Sequence, residues 1–451
     1  MMPIADVVRT DIYADHVNPQ WVKLLNLLEM NVSYERCEGA ELFTTDGRRI
    51  IDFLSGYCVH NTGHNHPAII DALKDELDRS GPVMLQSNVP ELAGELASRL
   101  CRLAGGRLAK VFFASSGSEG VETAIKFVRA HTGRAGLLSC DRAFHGLTCG
   151  ALSLMNGEYW RSGFGPLLPD IAVVPFGDLS ALEKALATRR YAAFFFEPIQ
   201  AEGGIRVPEP NYLRDAQVLC RRYGSLLVAD EVQTGMFRTG PFLASHHFGI
   251  SPDIVVLAKA LSGGLVPVSA VLMSDEIHHS VFSSLKRSIV HASTFSENSL
   301  SMRAGLATLD VLEGQNLGDR ATEIGAELQE KLAAALAGYE MVKAVRGKGL
   351  LLGIEFTAPR RLALRAPFEA FAQIHPAMFG QILVMSLFRK GNILTQICGN
   401  DFMVLKVAPP LVVTTAQVAE FVSSIRAVVD FAHHPGAFWS EALGLARRAI
   451  S

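Results

Sequence analysis

The chain has 451 residues, 49% hydrophobic and 19% charged, with a net charge of −3 and an isoelectric point near 6.5. Such a chain can bury a large core and should divide into two or more domains, which excludes a disordered polymer and offers no cationic face for nucleic acid or an anionic membrane. Seven cysteines, odd in number and without a Cys-x-x-Cys pair, fit reduced thiols in a cytoplasmic protein.

In chain order, Met1–Arg9 lacks a basic region followed by an apolar run, and no apolar stretch reaches bilayer length, so neither export nor a membrane span is expected. His60, His64 and His66 could suggest a metal cluster, but no metal is expected at this Gly-His-Asn-His-Pro turn. Val111-Phe112-Phe113 then begins a series of short apolar runs and leads into Ser115-Ser116-Gly117-Ser118. Val121, Ala124, Ile125 and Val128 mark one face of the helix that follows. Its first N–H groups, the positive end of its dipole and a serine hydroxyl suit a phosphate; the alternative is a capping box between Ser116 and Glu119.

Gly136-Leu137-Leu138 precedes Ala143-Phe144-His145-Gly146, where Phe144 is either a stacking platform for a flat ring or a core residue, and His145 either a base or a structural histidine. Ile171–Val174, a helix over Leu179–Arg190, Ala193–Phe196 and a helix over Tyr212–Tyr223 continue the alternation expected of a doubly wound α/β domain. Leu226–Ala229 ends in Asp230-Glu231-Val232-Gln233-Thr234-Gly235, and Ile254–Ala258 delivers Lys259 into Leu261-Ser262-Gly263-Gly264. Strands of a parallel sheet present ligand-binding groups where they end, which sets an acid and an amine at one rim. A lysine in apolar surroundings suits a Schiff base to an aldehyde; snorkelling to water is the bland alternative. Beyond residue 315 the pattern changes to a helix over Asp319–Tyr339, a strand over Leu350–Phe356, a helix near Phe371–Lys390 and a last helix over Thr415–Phe431. The apolar run Phe379–Leu387 is either a buried helix or the wall of an apolar pocket.

Ser116-Gly117-Ser118, Phe144-His145-Gly146, Glu197-Pro198-Ile199-Gln200-Ala201-Glu202-Gly203-Gly204, Asp230 to Gly235 and Lys259 to Gly264 resemble the class III aminotransferases, of the ornithine, acetylornithine and putrescine kind. Ser55-Gly56-Tyr57 and Gly63 to Pro67 match the family's beginning and Pro409-Pro410-Leu411 its end, so the likeness spans nearly the whole chain. It implies pyridoxal 5′-phosphate (PLP) on fold type I: a large, mainly parallel doubly wound domain over 66–318, and a smaller α+β domain over 319–451 to which 1–65 contributes. It further implies that Lys259 forms the Schiff base and shuttles the proton, and that Asp230 faces the pyridine nitrogen. Gln233 would meet the ring oxygen, Phe144 would stack with His145 beside it, and Ser116, Gly117 and Ser118 would hold the phosphate.

Thr294 resembles the threonine lent to a neighbour's phosphate, which implies a homodimer with shared active sites. Tyr57 and Glu202 match substrate-side residues, whereas Lys406 stands where relatives that bind carboxylates have arginine, a point charge in place of a planar fork. The second substrate tyrosine of the ornithine enzymes aligns near Leu27. The implied function is transfer of an amino group from an amine or amino acid, ornithine- or diamine-like or a terminal amine, to a 2-oxo acid or an aldehyde. Alternatives are an amine-tailoring enzyme of a lipid, hopanoid or polyketide aldehyde, and a phospho-lyase or racemase of the same fold. A Walker-B-like ATPase is disfavoured because no P-loop occurs.

Overall fold

A computed structural model describes residues 12–85, 87–434, 436, 438–440 and 444. Met1–Arg9, read above as lacking an export signal, lies outside the described residues. The central sheet has seven strands in the order Lys110–Ala114, Ser269–Met273, Ile254–Leu257, Leu226–Asp230, Tyr191–Phe196, Gly136–Cys140, Ile171–Val174. Six run the same way, and Ser269–Met273 alone is antiparallel to both neighbours.

The strands read as continuous apolar runs because both faces are covered. Leu227 and Ala229 face one core with Leu213, Ala216 and Cys220 of the helix Tyr212–Tyr223, while Val228 faces the other with Val121, Ala124 and Val128 of the helix Gly117–Thr132. Helices on both sides make the sheet doubly wound, as expected. The reversed strand was missed by the sequence reading. Its all-buried run Ser269-Ala270-Val271-Leu272-Met273 follows Pro267 and has no alternation to set it apart from a buried turn of helix.

Two four-stranded sheets flank the large one. Leu351–Phe356 lies between Val342–Lys348 and Asp401–Val407 in an antiparallel sheet completed by Gln396–Cys398. Tyr34–Glu38, Glu41–Thr44 and Arg49–Asp52 form the other, and Ile51 pairs in parallel with Ile393, so the beginning of the chain is stitched to its last third.

The expected helix near Phe371–Lys390 is two helices, Leu362–Ile374 and Met378–Gly391, bent by 105°. His375 is extended because Pro376 after it disfavours the helical conformation, which ends the first helix, and its Nδ1 accepts from Ala377 N at 3.0 Å at the turn into the second. Asp319–Tyr339 becomes Leu317–Ala335, and Leu179–Arg190 stops at Leu186. Among the described residues no single helix is long and apolar enough to cross a membrane.

A buried guanidinium joins these parts. Arg238 is fully buried and donates from Nη1 to the carbonyls of Leu350 (3.1 Å) and Pro409, and from Nη2 to Ser55 Oγ (3.1 Å) and Asn61 Oδ1. Ser55 begins a run of four residues with positive φ, Ser55 to Cys58 at 44°, 59°, 61° and 69°. Only Gly56 adopts that conformation without strain. The run is held by Asp52 Oδ1, which accepts from Leu54 N and Ser55 N at 2.8 Å each, and by Ser55 Oγ, which donates to Ala408 O at 2.7 Å. Replacing Arg238 by Met leaves these acceptors without a donor. Urea unfolding of Arg238→Met should show a loss on the order of 3 kcal/mol, and a midpoint equal to wild type would refute the role as a joint.

Candidate active site

Strand ends converge as the sequence reading required. Asp230 is the last residue of its strand, Glu197 follows Phe196 at the end of the next, and Lys259 follows Ala258 just beyond a third. A cavity of 630 Å³ at this rim is lined by Ser116, Gly117, Ser118, Phe144, His145, Glu197, Asp230, Gln233 and Lys259. All the residues expected to hold the cofactor, except Thr294, therefore meet in one place.

Asp230 is 6% exposed and its carboxylate is fixed from two sides. Oδ1 accepts from Val232 N at 3.1 Å and Oδ2 lies 2.8 Å from His145 Nδ1. Burial alone would lower the pKa of His145, but the hydrogen bond and charge of Asp230, with Glu197 behind them, raise it instead. His145 is thus a positioning residue for the acid. Burial pushes the Glu197 carboxyl up to about 7, with Asp230 adding to the rise and His145 opposing it. Glu197 also ties two loops together, because Oε1 accepts from Phe144 N at 3.0 Å and Oε2 from Ala201 N at 3.1 Å.

Lys259 has a left-handed φ of 46° and is partly exposed into the cavity. Desolvation by the surrounding protein holds its amine below the ordinary lysine range, against the nearby acids Glu202 and Asp230.

The helix Gly117–Thr132 opens at the same rim. Ser116 is its N-cap and accepts from Glu119 N at 3.2 Å, but Glu119 Oε2 accepts from Ser115 N at 2.6 Å in place of the N-cap amide, so the capping box is only half formed. Two glycines set the tightness of this corner. A Cβ on Gly146 would stand 2.5 Å from Ser118 Oγ, and one on Gly117 would meet Val232 at 3.1 Å. Ser118 Oγ pairs with Thr148 Oγ1 at 2.7 Å. Phe144 meets Trp160 edge to face, with centroids 5.3 Å apart at 75°.

A second cavity, of 860 Å³, shares Phe144, Gln233 and Lys259 with the first and is lined also by Gly56, Tyr57 and Glu202. Glu202 forms a short ion pair with Lys406 Nζ, accepts from Gln233 Nε2 at 3.2 Å, and accepts from Gly399 N at 2.8 Å. Lys406 is fully buried and its ammonium stands 4.8 Å from the ring centroid of Tyr57. Glu202, expected on the substrate side, is thus paired with Lys406. Burial would raise the Glu202 pKa, but Lys406 takes it below the usual range; burial would lower that of Lys406, but Glu202 takes it above. The apolar run Phe379–Leu387 is a buried helix, and of it only the polar Gln381 reaches this cavity, whose wall here is made by Met378 just before the run.

Thr294 is not at the phosphate corner of its own chain. It lies exposed in a separate 1020 Å³ depression beside Pro82, Met84 and Glu297. The three histidines of the early turn make contacts within the fold: His60 stacks on His64 at 4.0 Å, His64 Nε2 lies 2.8 Å from Asp52 Oδ2, and His66 Nε2 lies 3.2 Å from Gln315 Nε2. Among the described residues no group of three or more His, Cys, Asp or Glu is placed to hold a metal ion. Sequence reasoning gave no role to Glu197, although its place after an apolar run is the same signal that exposed Asp230. It missed Trp160 and Met378, which nothing local to their sequence marks.

The buried pair has a measurable signature. Lys406→Met leaves Glu202 buried without its cation and should cost about 3–5 kcal/mol, whereas Lys406→Met with Glu202→Gln should recover most of that loss. The lowered Glu202 pKa gives stability that is lost only as pH falls through it, and the raised Lys406 pKa gives stability lost only as pH rises through it. Between roughly pH 4.3 and 10.4, the unperturbed values, the gap between wild type and the double variant should therefore stay constant. A gap that changes across neutral pH would show that the pair is not ionised as described.

Comparison with known proteins fits this geometry. The family model described as Aminotransferase class-III matches residues 26–429. The aminotransferase PigE of a Serratia species is 37% identical over 93% of this chain and 53% of PigE, so the chain spans about half the length of that curated relative. The ornithine aminotransferase of Toxoplasma gondii is 30% identical with a TM-score of 0.79, over 89% of this chain and 90% of that one. An amine transaminase from an uncultivated Pseudomonas species, solved in its PLP-bound internal aldimine form, is 28% identical with a TM-score of 0.78, over 89% of this chain and 95% of that one. With the family matched over most of its length and these neighbours sharing its fold type I architecture, the chain belongs to the class III aminotransferases.

Proposed function

We propose that this chain is a PLP-dependent aminotransferase that moves an amino group from an amine or amino-acid donor to a 2-oxo acid or an aldehyde. The observation that carries the reading is the single cavity that joins Lys259, Asp230 and the open N-terminus of the helix Gly117–Thr132. The residues fit the cofactor. Two buried polar atoms on the cavity wall, His145 Nε2 and Gln233 Oε1, lack a protein partner, and at glycines 117 and 146 the backbone packs so closely on Val232 and Ser118 that a side chain would not fit.

PLP, when bound, supplies an electron sink for the substrate carbon and an aldehyde for the amines. The protein does the rest. Asp230, held by His145 and Val232 N, places a fixed anion where a ring nitrogen must keep its proton. Helix N–H groups with Ser116, Gly117 and Ser118 would hold the phosphate, Phe144 would cover a ring face, and Gln233 would meet the ring oxygen. Lys259 is the covalent anchor. Its lowered pKa keeps more of the released amine unprotonated near neutral pH, able to take a proton from the donor carbon and return it to the acceptor.

A homodimer with shared sites belongs to this reading. Thr294 sits away from its own phosphate corner, on a surface where Phe295 is 61% exposed and Leu85 57%. Apolar groups of that size left in water suit a partner subunit, and a second copy would bring Thr294 to its neighbour's phosphate. We also read 66–318 as the PLP-binding domain, and 319–451 with 1–65 as the smaller one, in a cytoplasmic enzyme.

Adding an amine donor to the loaded enzyme should convert it to the pyridoxamine phosphate form, and a 2-oxo acid should reverse the change; a spectrum that stays constant through turnover would favour a racemase or lyase. Lys259→Ala should abolish transfer. Asp230→Asn should slow the chemical step about a thousandfold, since unit charges 4 Å apart at an effective dielectric of 20 interact by about 4 kcal/mol. A rate within tenfold of wild type for either would overturn the assignment. Sedimentation should report a dimer, and Thr294→Ala should loosen PLP retention by roughly tenfold or more, the worth of one hydrogen bond to a charged group; a monomer that retains PLP would refute the shared site.

A further inference from the structure

The second cavity carries information that the cofactor site does not use. It begins at Lys259, and away from the chemistry its wall is made by Leu24 and Leu27 of the helix Pro19–Leu27, Trp160, Met378, Ile397 and Phe402. These come from four separate parts of the chain, so the apolar character of the wall does not follow from the pattern of any one element. The helix Pro19–Leu27 has no buried residue, and Leu24 is 41% exposed although it faces the cavity. An isolated helix of nine residues gains little from exposing leucines, whereas a ligand laid against them would cover them.

The charges at the inner end are already satisfied. Glu202 is engaged by Lys406, Gln233 and Gly399 N, and Lys406 is sealed from solvent beneath Tyr57. Among the described lining residues there is no arginine, and Lys259 is the only lysine. A substrate whose far end carries a carboxylate would find no arginine and no second lysine along this wall, where His375 is the one imidazole. The 860 Å³ volume is within the range that encloses a drug-sized ligand.

We infer that one of the two substrates exchanged at Lys259 is a carbonyl compound or primary amine borne on an uncharged aliphatic chain, and that this chain lies against Leu24, Leu27, Met378, Ile397 and Phe402. The inference rests on the aminotransferase reading and narrows its substrate. The step balances within the pair: the aldehyde carbon would take the amino group and two electrons from pyridoxamine phosphate, whose methylene carbon is oxidised to the aldehyde level and returned to Lys259, the aldehyde oxygen would leave as water, and no further oxidant or reductant is needed.

The test uses the full chain loaded directly with pyridoxamine phosphate, so no donor has to be known. n-Alkanals from butanal to decanal are added, and the return of the PLP spectrum is followed. Burial of each methylene should raise kcat/KM by about three- to fourfold until the cavity is full, and 4-oxobutanoate should react more slowly than the alkanals of six carbons and longer. Unreactive n-alkanols, which bind without being turned over, should inhibit with a similar dependence on length. Leu24→Asp, on an exposed helix face, should flatten both series.

A flat or falling alkanal series, or a preference for 4-oxobutanoate, would overturn the aliphatic-chain inference while the return of the PLP spectrum with any carbonyl compound keeps the aminotransferase reading intact. No return with any alkanal or 2-oxo acid would overturn both.

Discussion

A carboxylate can be kept ionised in a dry cavity only if fixed dipoles or charges replace the water it loses. At Asp230 these are the imidazole of His145 at one oxygen and the amide of Val232 at the other. The architecture around the site follows from that requirement. The strand Leu226–Asp230 carries the acid to the rim, the segment after Gly136–Cys140 brings His145 across to it, and the segment after Tyr191–Phe196 supplies Glu197, whose oxygens fasten the backbone on either side. Three neighbouring strands of one sheet are needed because three loops must end within hydrogen-bonding distance. A sheet whose central strands run the same way puts all those loops on one edge.

Much of this was legible in the sequence. Strands buried on both faces are written as uninterrupted apolar runs, and the residues that follow them are forced to the rim, so Asp230 and Lys259 stood out without any coordinates. The helix Tyr212–Tyr223 was read to the residue because Gly224, in the left-handed conformation, stops it. What escaped notice was set by long-range contacts. The reversal of Ser269–Met273 depends on which neighbours it finds; the break at His375, by contrast, is written locally, because Pro376 turns the residue before it away from the helical conformation. The left-handed course of Ser55 to Cys58 is imposed by Asp52, Ala408 and Arg238, the last two more than 180 residues away.

Lys406 shows where a family likeness and a physical reading diverge. Position alone suggested a carboxylate-binding cation weaker than arginine. The geometry shows a cation already neutralised: a point charge placed inside the reach of Glu202, capped by an aromatic ring and closed to solvent. An arginine fork at this depth would have several more N–H groups to satisfy, whereas one ammonium is met by one carboxylate and the face of Tyr57. The substitution thus suits a closed pair better than an open binding site.

Reaction chemistry and pocket shape are supplied by different stretches of polypeptide. The acid, the amine and the phosphate corner all stand on the seven-stranded sheet, while the outer wall of the neighbouring hollow comes from a short N-terminal helix and from residues around 378, 397 and 402. Pro19–Leu27 has no buried residue and packs against the core through Leu27 alone, so most of its sequence can drift, or be redesigned, with little penalty to folding. Such a division makes the enzyme evolvable in one direction: new molecules can be accommodated by rewriting a peripheral helix, with the catalytic apparatus inherited unchanged.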